Sequence, residues 1–327
     1  MIEPLLADLY RIKIPLPNSP LKSLNAYLIR GKDRSLIIDT GMNREACLKP
    51  MLESLRELDV DLNETDFFIT HLHADHSGLV GKLATPGSRV YFSAVEIAVM
   101  KSFDANARQR LQDLFSFFVS HGFPEEELKE AFQHHPGFLY GSKRDLNLYG
   151  LKEGDFLEAG AYRFSCIDTP GHSPGHMCLY EARHKILVSG DHILMDITPN
   201  ITRWDIMDNS LGQYLSSLEK VYPLEVNLVL PGHRRILHDH KARIRALQEH
   251  HENRLAEVLE ALDGRKKTAW DIAPHIAWDL KVRSWSAFPP VQKWFALGET
   301  IAHIEYLEAE GKVIGEKENQ RVYYRLA

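Results

Sequence analysis

Thr70-His71-Leu72-His73-Ala74-Asp75-His76-Ser77-Gly78 follows the apolar run Phe67-Phe68-Ile69, and this junction decides how the rest of the chain reads. The run predicts a short buried strand. Three histidines and a carboxylate then fall between positions 71 and 76. Imidazole with carboxylate suits zinc, iron or manganese rather than calcium. His71 and His73, at i and i+2, project to one side of an extended segment. Asp75 and His76 come as the chain turns toward a helix, so they aim at a different point. The spacing therefore predicts two metals rather than one. A solvated polar loop with scattered histidines does not account for such a cluster.

Further candidate ligands recur in the same local setting. Asp168-Thr169-Pro170-Gly171-His172-Ser173-Pro174-Gly175-His176 follows the strand-like Tyr162–Ile167. Ser189-Gly190-Asp191 follows Ile186-Leu187-Val188, and Pro231-Gly232-His233 follows Leu228-Val229-Leu230. Each is an apolar strand, a tight Gly or Pro turn, and a side chain able to bind metal. Ligands at strand ends converge on one edge of a sheet.

This ordered set, His-x-His-x-Asp-His, Pro-Gly-His, Gly-Asp and a last Pro-Gly-His, resembles the metallo-β-lactamase superfamily, and within it the hydroxyacylglutathione hydrolase (glyoxalase II) type of binuclear site. The resemblance covers residues 20 to 240 and implies an αββα sandwich. It implies that His71, His73 and His172 hold one metal, that Asp75, His76 and His233 hold the other, and that Asp191 bridges them. Asp39, in Asp39-Thr40-Gly41 at the end of the strand-like Ser35–Ile38, fits a carboxylate that orients a ligand imidazole.

With 327 residues the chain exceeds one ordinary compact domain, so a large domain with an appendage is expected. Hydrophobic residues at 44% and charged residues at 26% are ordinary for a globular protein, and no run approaches a membrane span. The first residues carry acids and no basic leader. Three cysteines, Cys47, Cys166 and Cys178, are too scattered for a disulfide framework. A cytoplasmic protein is the simplest expectation. A net charge of −6 argues against a surface that attracts nucleic acid generally.

Along the chain, Asn25–Ile29 and Ser35–Ile38 read as strands around a Gly31-Lys32-Asp33 turn, and residues 44–58 as an amphipathic outer helix. Arg89–Phe92 reads as a strand. Residues 94–149 read as a largely helical insertion, which either caps the metal site or packs on the outer face. Leu111, Leu114, Phe115, Phe118 and Val119 give it an apolar stripe, and His134-His135 within it read as surface histidines. The loop Asp196–Trp204 starts at Asp191 and either lines a pocket or simply connects. Arg234-Arg235 after His233 either meet a substrate anion or stay solvated.

These features divide the chain into a hydrolase domain, 1–240, and a linker helix with a tail, 241–327. Residues 241–262 read as a long helix with His250 and His251 in structural roles. Then come a short helix near Trp270, a longer one over Val291–Glu310, and a hairpin around Lys317-Glu318-Asn319-Gln320. Helix, helix, hairpin is a winged-helix pattern. Its pairing with such a hydrolase resembles the beta-lactamase-like protein 2 group. Acids and bases in the tail balance, Lys281 and Arg283 against Asp279, and Lys317 against Glu316 and Glu318. Packing, dimerisation or substrate shaping is thus expected of the tail before nucleic-acid binding.

Two metals sharing Asp191 would lower the pKa of a water between them, giving a hydroxide near neutral pH without a Ser or Cys nucleophile. Asp75 and Asp191 are the catalytic carboxylates on this reading, and zinc is the first choice of metal, with iron or manganese next. Cys178 reads as core, His176 as a turn or supporting residue, and His192 as pointing away. The expected activity is hydrolysis of a small ester or thioester. A phosphodiesterase or endoribonuclease of the beta-lactamase-like protein 2 type is the alternative, and a non-catalytic nucleic-acid or protein-binding regulator the third. The complete ligand set speaks against the last. The winged-helix-like tail stands where a glyoxalase II has its basic glutathione-binding segment, which speaks against glutathione thioesters.

Overall fold

The computed structural model describes residues 2–142, 146–279 and 284–327; Lys281 and Arg283 lie outside the described residues. A seven-stranded sheet runs in chain order: β1 (Ile2–Leu6), β2 (Leu9–Pro15), β3 (Ser23–Ile29), β4 (Ser35–Ile38), β5 (Thr65–Phe68), β6 (Val90–Ser93) and β7 (Leu148–Leu151). A second sheet has β8 (Phe156–Ala159), β9 (Tyr162–Asp168), β10 (Met177–Glu181), β11 (Ile186–Gly190) and β12 (Leu228–Pro231), ordered β12-β11-β10-β9-β8.

Strand periodicity sorts side chains between layers. Ile38, Phe68, Val188 and Leu230 face inward and meet Phe164, Cys166 and Leu179 between the sheets. Their neighbours Ile37 and Phe67 face outward, onto Cys47, Met51 and Leu55 of α1 (Glu45–Glu57). On the other side Leu187 and Val229 pack under Leu211, Tyr214 and Leu218 of the helix Ser210–Val221 and under Ile244 and Leu247 of the helix His240–Leu262. Helices therefore cover both outer faces, the expected αββα sandwich. Phe68 is completely buried, so truncating it to Ala should cost about 3–5 kcal/mol. Cys178 is core, as expected, and all three cysteines are free and buried.

Strands β4 and β5 are parallel, as are β11 and β12, while β9 and β11 flank β10 antiparallel to it. The C-terminal ends of β4, β5, β9, β11 and β12 carry Asp39, the 70–76 loop, the 169–176 loop, Asp191 and His233.

The 94–149 insertion forms four helices: Ala94–Ala105, Ala107–Ser120, Glu125–His134 and Pro136–Tyr140. Its last residues differ from expectation, because Leu148–Leu151 pairs with β6. Pro124 precedes the helix Glu125–His134 as its capping residue. The principal difference lies in packing. Phe118, Phe123, Leu128 and Ala131 share one core with Leu262, Ile272, Trp294, Leu297, Ile301 and Ile304. The insertion and the tail are one packed unit, and the helix Pro290–Ala309 runs buried through it. The spacing of Ile301, Ile304 and Leu307 predicts one apolar face; Trp294, Leu297 and Ala302 are buried as well. His135 is drawn into the same packing, with its ring 4.9 Å from Trp294 and 5.4 Å from Phe295. His135 is partly buried there, not a fully exposed histidine, and burial lowers its pKa to about 4; His134 is exposed.

The tail ends in the hairpin β13 (Val313–Glu318) and β14 (Arg321–Leu326). The turn is tighter than the Lys317–Gln320 segment expected. Asn319 (φ +47) and Gln320 (φ +67) form a two-residue turn whose twist matches the strands.

Candidate metal centre

The sequence predicts an extended segment here, but the chain bends over Thr70 to Leu72, and this bend brings both rings together, with His71 Nε2 and His73 Nδ1 2.9 Å apart. The single helical turn Ala74–Ser77 then swings Asp75 and His76 to another. His71, His73 and His172 bring one ligand atom each within 4.8 Å of one another; so do Asp75, His76 and His233, and so do His71, His76 and Asp191. All seven residues singled out from the sequence meet at one sheet edge. Asp191 stands among them: His76 Nε2 lies 3.4 Å from its Oδ1, and His233 Nε2 and His172 Nε2 lie 3.5 and 3.8 Å from its Oδ2. His233 Nε2 is also 3.3 Å from Asp75 Oδ2. Gly232 has no room for a side chain, because a Cβ would run into Asp191 Oδ1 and His76 Cε1.

Four atoms at this convergence, His76 Nε2, His172 Nε2, His233 Nε2 and Asp191 Oδ1, are buried without a hydrogen-bond partner. Each such atom costs about 1–3 kcal/mol if left so. The opposite ring nitrogens are all engaged. His172 Nδ1 donates to Asn200 O at 2.7 Å, and His233 Nδ1 to Ser23 O at 2.8 Å. A carbonyl only accepts, so each Nδ1 carries a proton, and Nε2 is the nitrogen that faces the centre. His76 Nδ1 meets Asp39 Oδ2 at 2.8 Å, and His71 Nδ1 meets Thr70 Oγ1 at 3.1 Å. Imidazoles fixed from behind, with free nitrogens converging on carboxylates, fit divalent metal ions.

Asp39 takes the orienting role expected of it. It sits at φ +59 and also accepts from Thr70 N (2.9 Å) and Thr70 Oγ1. His176 supports the backbone: Asp191 N donates to its Nε2 at 3.2 Å, and its Nδ1 donates to Thr169 Oγ1 at 2.8 Å. His192 turns toward Tyr214, ring centroids 5.3 Å apart. Arg234 donates to Pro20 O at 2.6 Å, and Arg235 forks onto Asp196. The loop Asp196–Trp204 does border the centre, with Trp204 stacked 6.0 Å from His73.

Charge divides the centre in two. At His76 burial acts to lower the pKa, but Asp191 and Asp39 more than offset it and the pKa rises well above the usual value. At His233 burial is likewise overcome, by Asp191 and Asp75, and the pKa rises to about 10. Burial would raise Asp75, yet His233 and His76 hold it down at about 2. His71 and His73 are instead pushed down, His73 to about 3, chiefly by burial and then by neighbouring imidazoles.

Glu96 has a role that the sequence did not disclose. It is completely buried in the helix Ala94–Ala105. It accepts from Leu72 N (3.2 Å), Ser173 Oγ (2.5 Å) and Gly175 N (2.9 Å), tying the His71-His73 loop to the His172 loop. Ser93-x-x-Glu96 reads in sequence as a capping box; Ser93 does cap Glu96 N, but the Glu96 carboxylate turns to the ligand loops.

Two packed sheets with a His and Asp cluster at one edge define a metal-dependent hydrolase. The chain belongs to the metallo-beta-lactamase superfamily, whose model matches residues 21–233; a second model, the metallo-beta-lactamase-like C-terminal domain, matches residues 255–325. The chain is 24% identical to a probable metallo-hydrolase, YqjP, of Bacillus subtilis (strain 168), over 97% of this chain and 98% of that one. A metallo-beta-lactamase family protein from Thermus thermophilus superposes with a TM-score of 0.85 at 29% identity, covering 99% of this chain and all of that one (100%). The acyl-coenzyme A thioesterase MBLAC2 of Gallus gallus is 28% identical over 64% of this chain and 72% of its own. No helix among the described residues is long and apolar enough to cross a membrane.

Proposed function

We propose that the protein is a binuclear metallohydrolase of small esters or thioesters. His71, His73 and His172 hold the first divalent ion, Asp75, His76 and His233 the second, and Asp191 reaches both. The observation that carries this reading is the set of buried, partnerless ligand atoms facing one another. Imidazole with carboxylate favours zinc, then iron or manganese. Bound ions supply Lewis acidity and a water acidic enough to attack near neutral pH. The chain's own part is to orient. Asp39 and the carbonyls of Ser23 and Asn200 fix the imidazoles, Asp75 and Asp191 supply negative charge, and Trp204 stacks over His73. The same reading keeps residues 1–240 as the hydrolase domain and 241–327 as its C-terminal part.

A thioester is favoured over a phosphodiester because the MBLAC2 relative is named an acyl-coenzyme A thioesterase. The test is elemental analysis followed by a panel of acyl thioester, lactone and single-stranded RNA substrates on zinc-loaded protein. Two metal equivalents and thioester turnover are expected. At most one equivalent, or RNA cleavage with thioesters left intact, overturns the reading.

A further inference from the structure

His172 takes its orienting hydrogen bond from outside the sandwich. The acceptor, Asn200 O, belongs to a loop that is docked on the helix Pro290–Ala309. Asn200 Nδ2 donates to Glu299 Oε2 at 2.6 Å and to Phe295 O at 3.4 Å. Arg203 N donates to Gly298 O at 3.2 Å, and Arg203 Nε to Glu305 at 3.3 Å. Gly298 permits this approach, since a Cβ there would strike Thr202 Oγ1. Trp204 Nε1 returns to His172 O at 3.3 Å.

Glu299 is itself held. It is only 5% exposed and ion-paired with Arg254 of the helix His240–Leu262. The Arg254 guanidinium also donates to Ala277 O at 2.9 Å and lies over Trp278. A charge pair this buried is costly to assemble unless its remaining hydrogen bonds are made. Asn200 makes one of them. The path Arg254, Glu299, Asn200, His172 is thus continuous, from the C-terminal packed unit to a ring nitrogen of the candidate centre.

We propose that Glu299 is a positioning residue of the hydrolytic centre: through Asn200 it sets the tautomer and aim of His172, so that the C-terminal part of the chain completes the first metal position. The proposal rests on the ligand reading given under Proposed function. It gives the tail a task that needs no nucleic acid. Withdrawing Glu299 frees the Asn200 side chain, the carbonyl drifts, and His172 loses the hydrogen bond that fixes its proton on Nδ1. The second position is untouched, because His76 and His233 are oriented by Asp39 and Ser23 O.

The test is stepwise zinc competition titration of full-length, metal-stripped protein against a chromophoric chelator, with His172→Ala and His233→Ala marking the two steps. Asn200→Ala is the principal variant. It keeps the backbone acceptor and the Arg254–Glu299 pair, and Asn200 is only partly buried, so the fold survives. Arg254→Met/Glu299→Leu is the second; it removes both charges together and leaves neither stranded. Both should weaken the first step by about 10- to 100-fold, the usual effect of losing an outer hydrogen-bond partner, with the second step unchanged. Wild-type affinities in both variants, or equal weakening of both steps, overturn the proposal. If His172→Ala itself retains both zinc ions, the ligand reading has failed instead.

Discussion

The two halves of the candidate metal centre are held from different parts of the molecule. Asp75, His76 and His233 are braced by the sandwich: Asp39 at the end of β4 behind His76, and Ser23 O at the start of β3 behind His233. His71, His73 and His172 draw on more distant segments: Glu96 in the insertion ties their loops together and Asn200, in a loop docked on the C-terminal helix, holds His172, while His71 still leans on Thr70 beside Asp39. The second half also holds more negative charge. The sandwich's own residues thus brace the second set, while the first set also depends on how inserted and appended segments pack.

Asp191 is where the halves meet, so its loss should be the largest effect. Asp191→Ala should remove both metals and lower hydrolysis on the order of a thousand-fold, since each tenfold needs only about 1.4 kcal/mol and metal polarisation supplies several. Elemental analysis and turnover check this; loss of one metal alone would break the symmetry around Asp191.

Next is a paired comparison of the braces. Asp39→Ala strands the His76 and Thr70 donors in the core and should cost about 3 kcal/mol of stability, with zinc lost from the second position. Glu96→Ala should instead deplete the first position, by about 10- to 100-fold in affinity. Thermal melts and zinc titration of the two variants side by side would erase the division if both lost the same ion.

A smaller effect concerns pH. Burial raises the Glu96 carboxyl from 4.5 to about 7. Between these values the folded chain binds more protons than the unfolded one, so this group's contribution is full below pH 4.5 and fades as pH rises through 7. Metal-stripped wild type should therefore lose stability relative to Glu96→Gln over that window, by at most about 3 kcal/mol. Urea melts at several pH values would show parallel curves if Glu96 ionised normally.

The smallest effect is expected at the tail surface. Lys266 pairs with Glu316 and Glu318, and Arg265 and Lys267 with Asp263. Lys266→Ala should leave the melting temperature essentially unchanged. RNA retention should be weak and nearly independent of salt in both proteins; a steep salt dependence lost in the variant would reveal a phosphate-tracking face.

The ligands were legible from the amino-acid sequence because their chemistry is local. His71 and His73 stand at i and i+2, His76 follows on a helical turn, and Gly232 marks a close approach beside His233. Period and turn residues report such features directly, and the ordered motifs carried the sandwich with them. Asp39 and His176 apart, the supports were not legible. Glu96 looks like a helix cap, Glu299 like one acid on an amphipathic helix, and Asn200 like a turn residue, because nothing local tells a carboxylate which distant donor it will meet. Their roles follow from packing between segments far apart in the chain, Glu96 against Ser173 and Glu299 against Asn200. The joint core of the insertion and the tail was hidden for the same reason. Phe118 and Trp294 each announce an apolar face, but only the folded chain decides that the two faces cover each other.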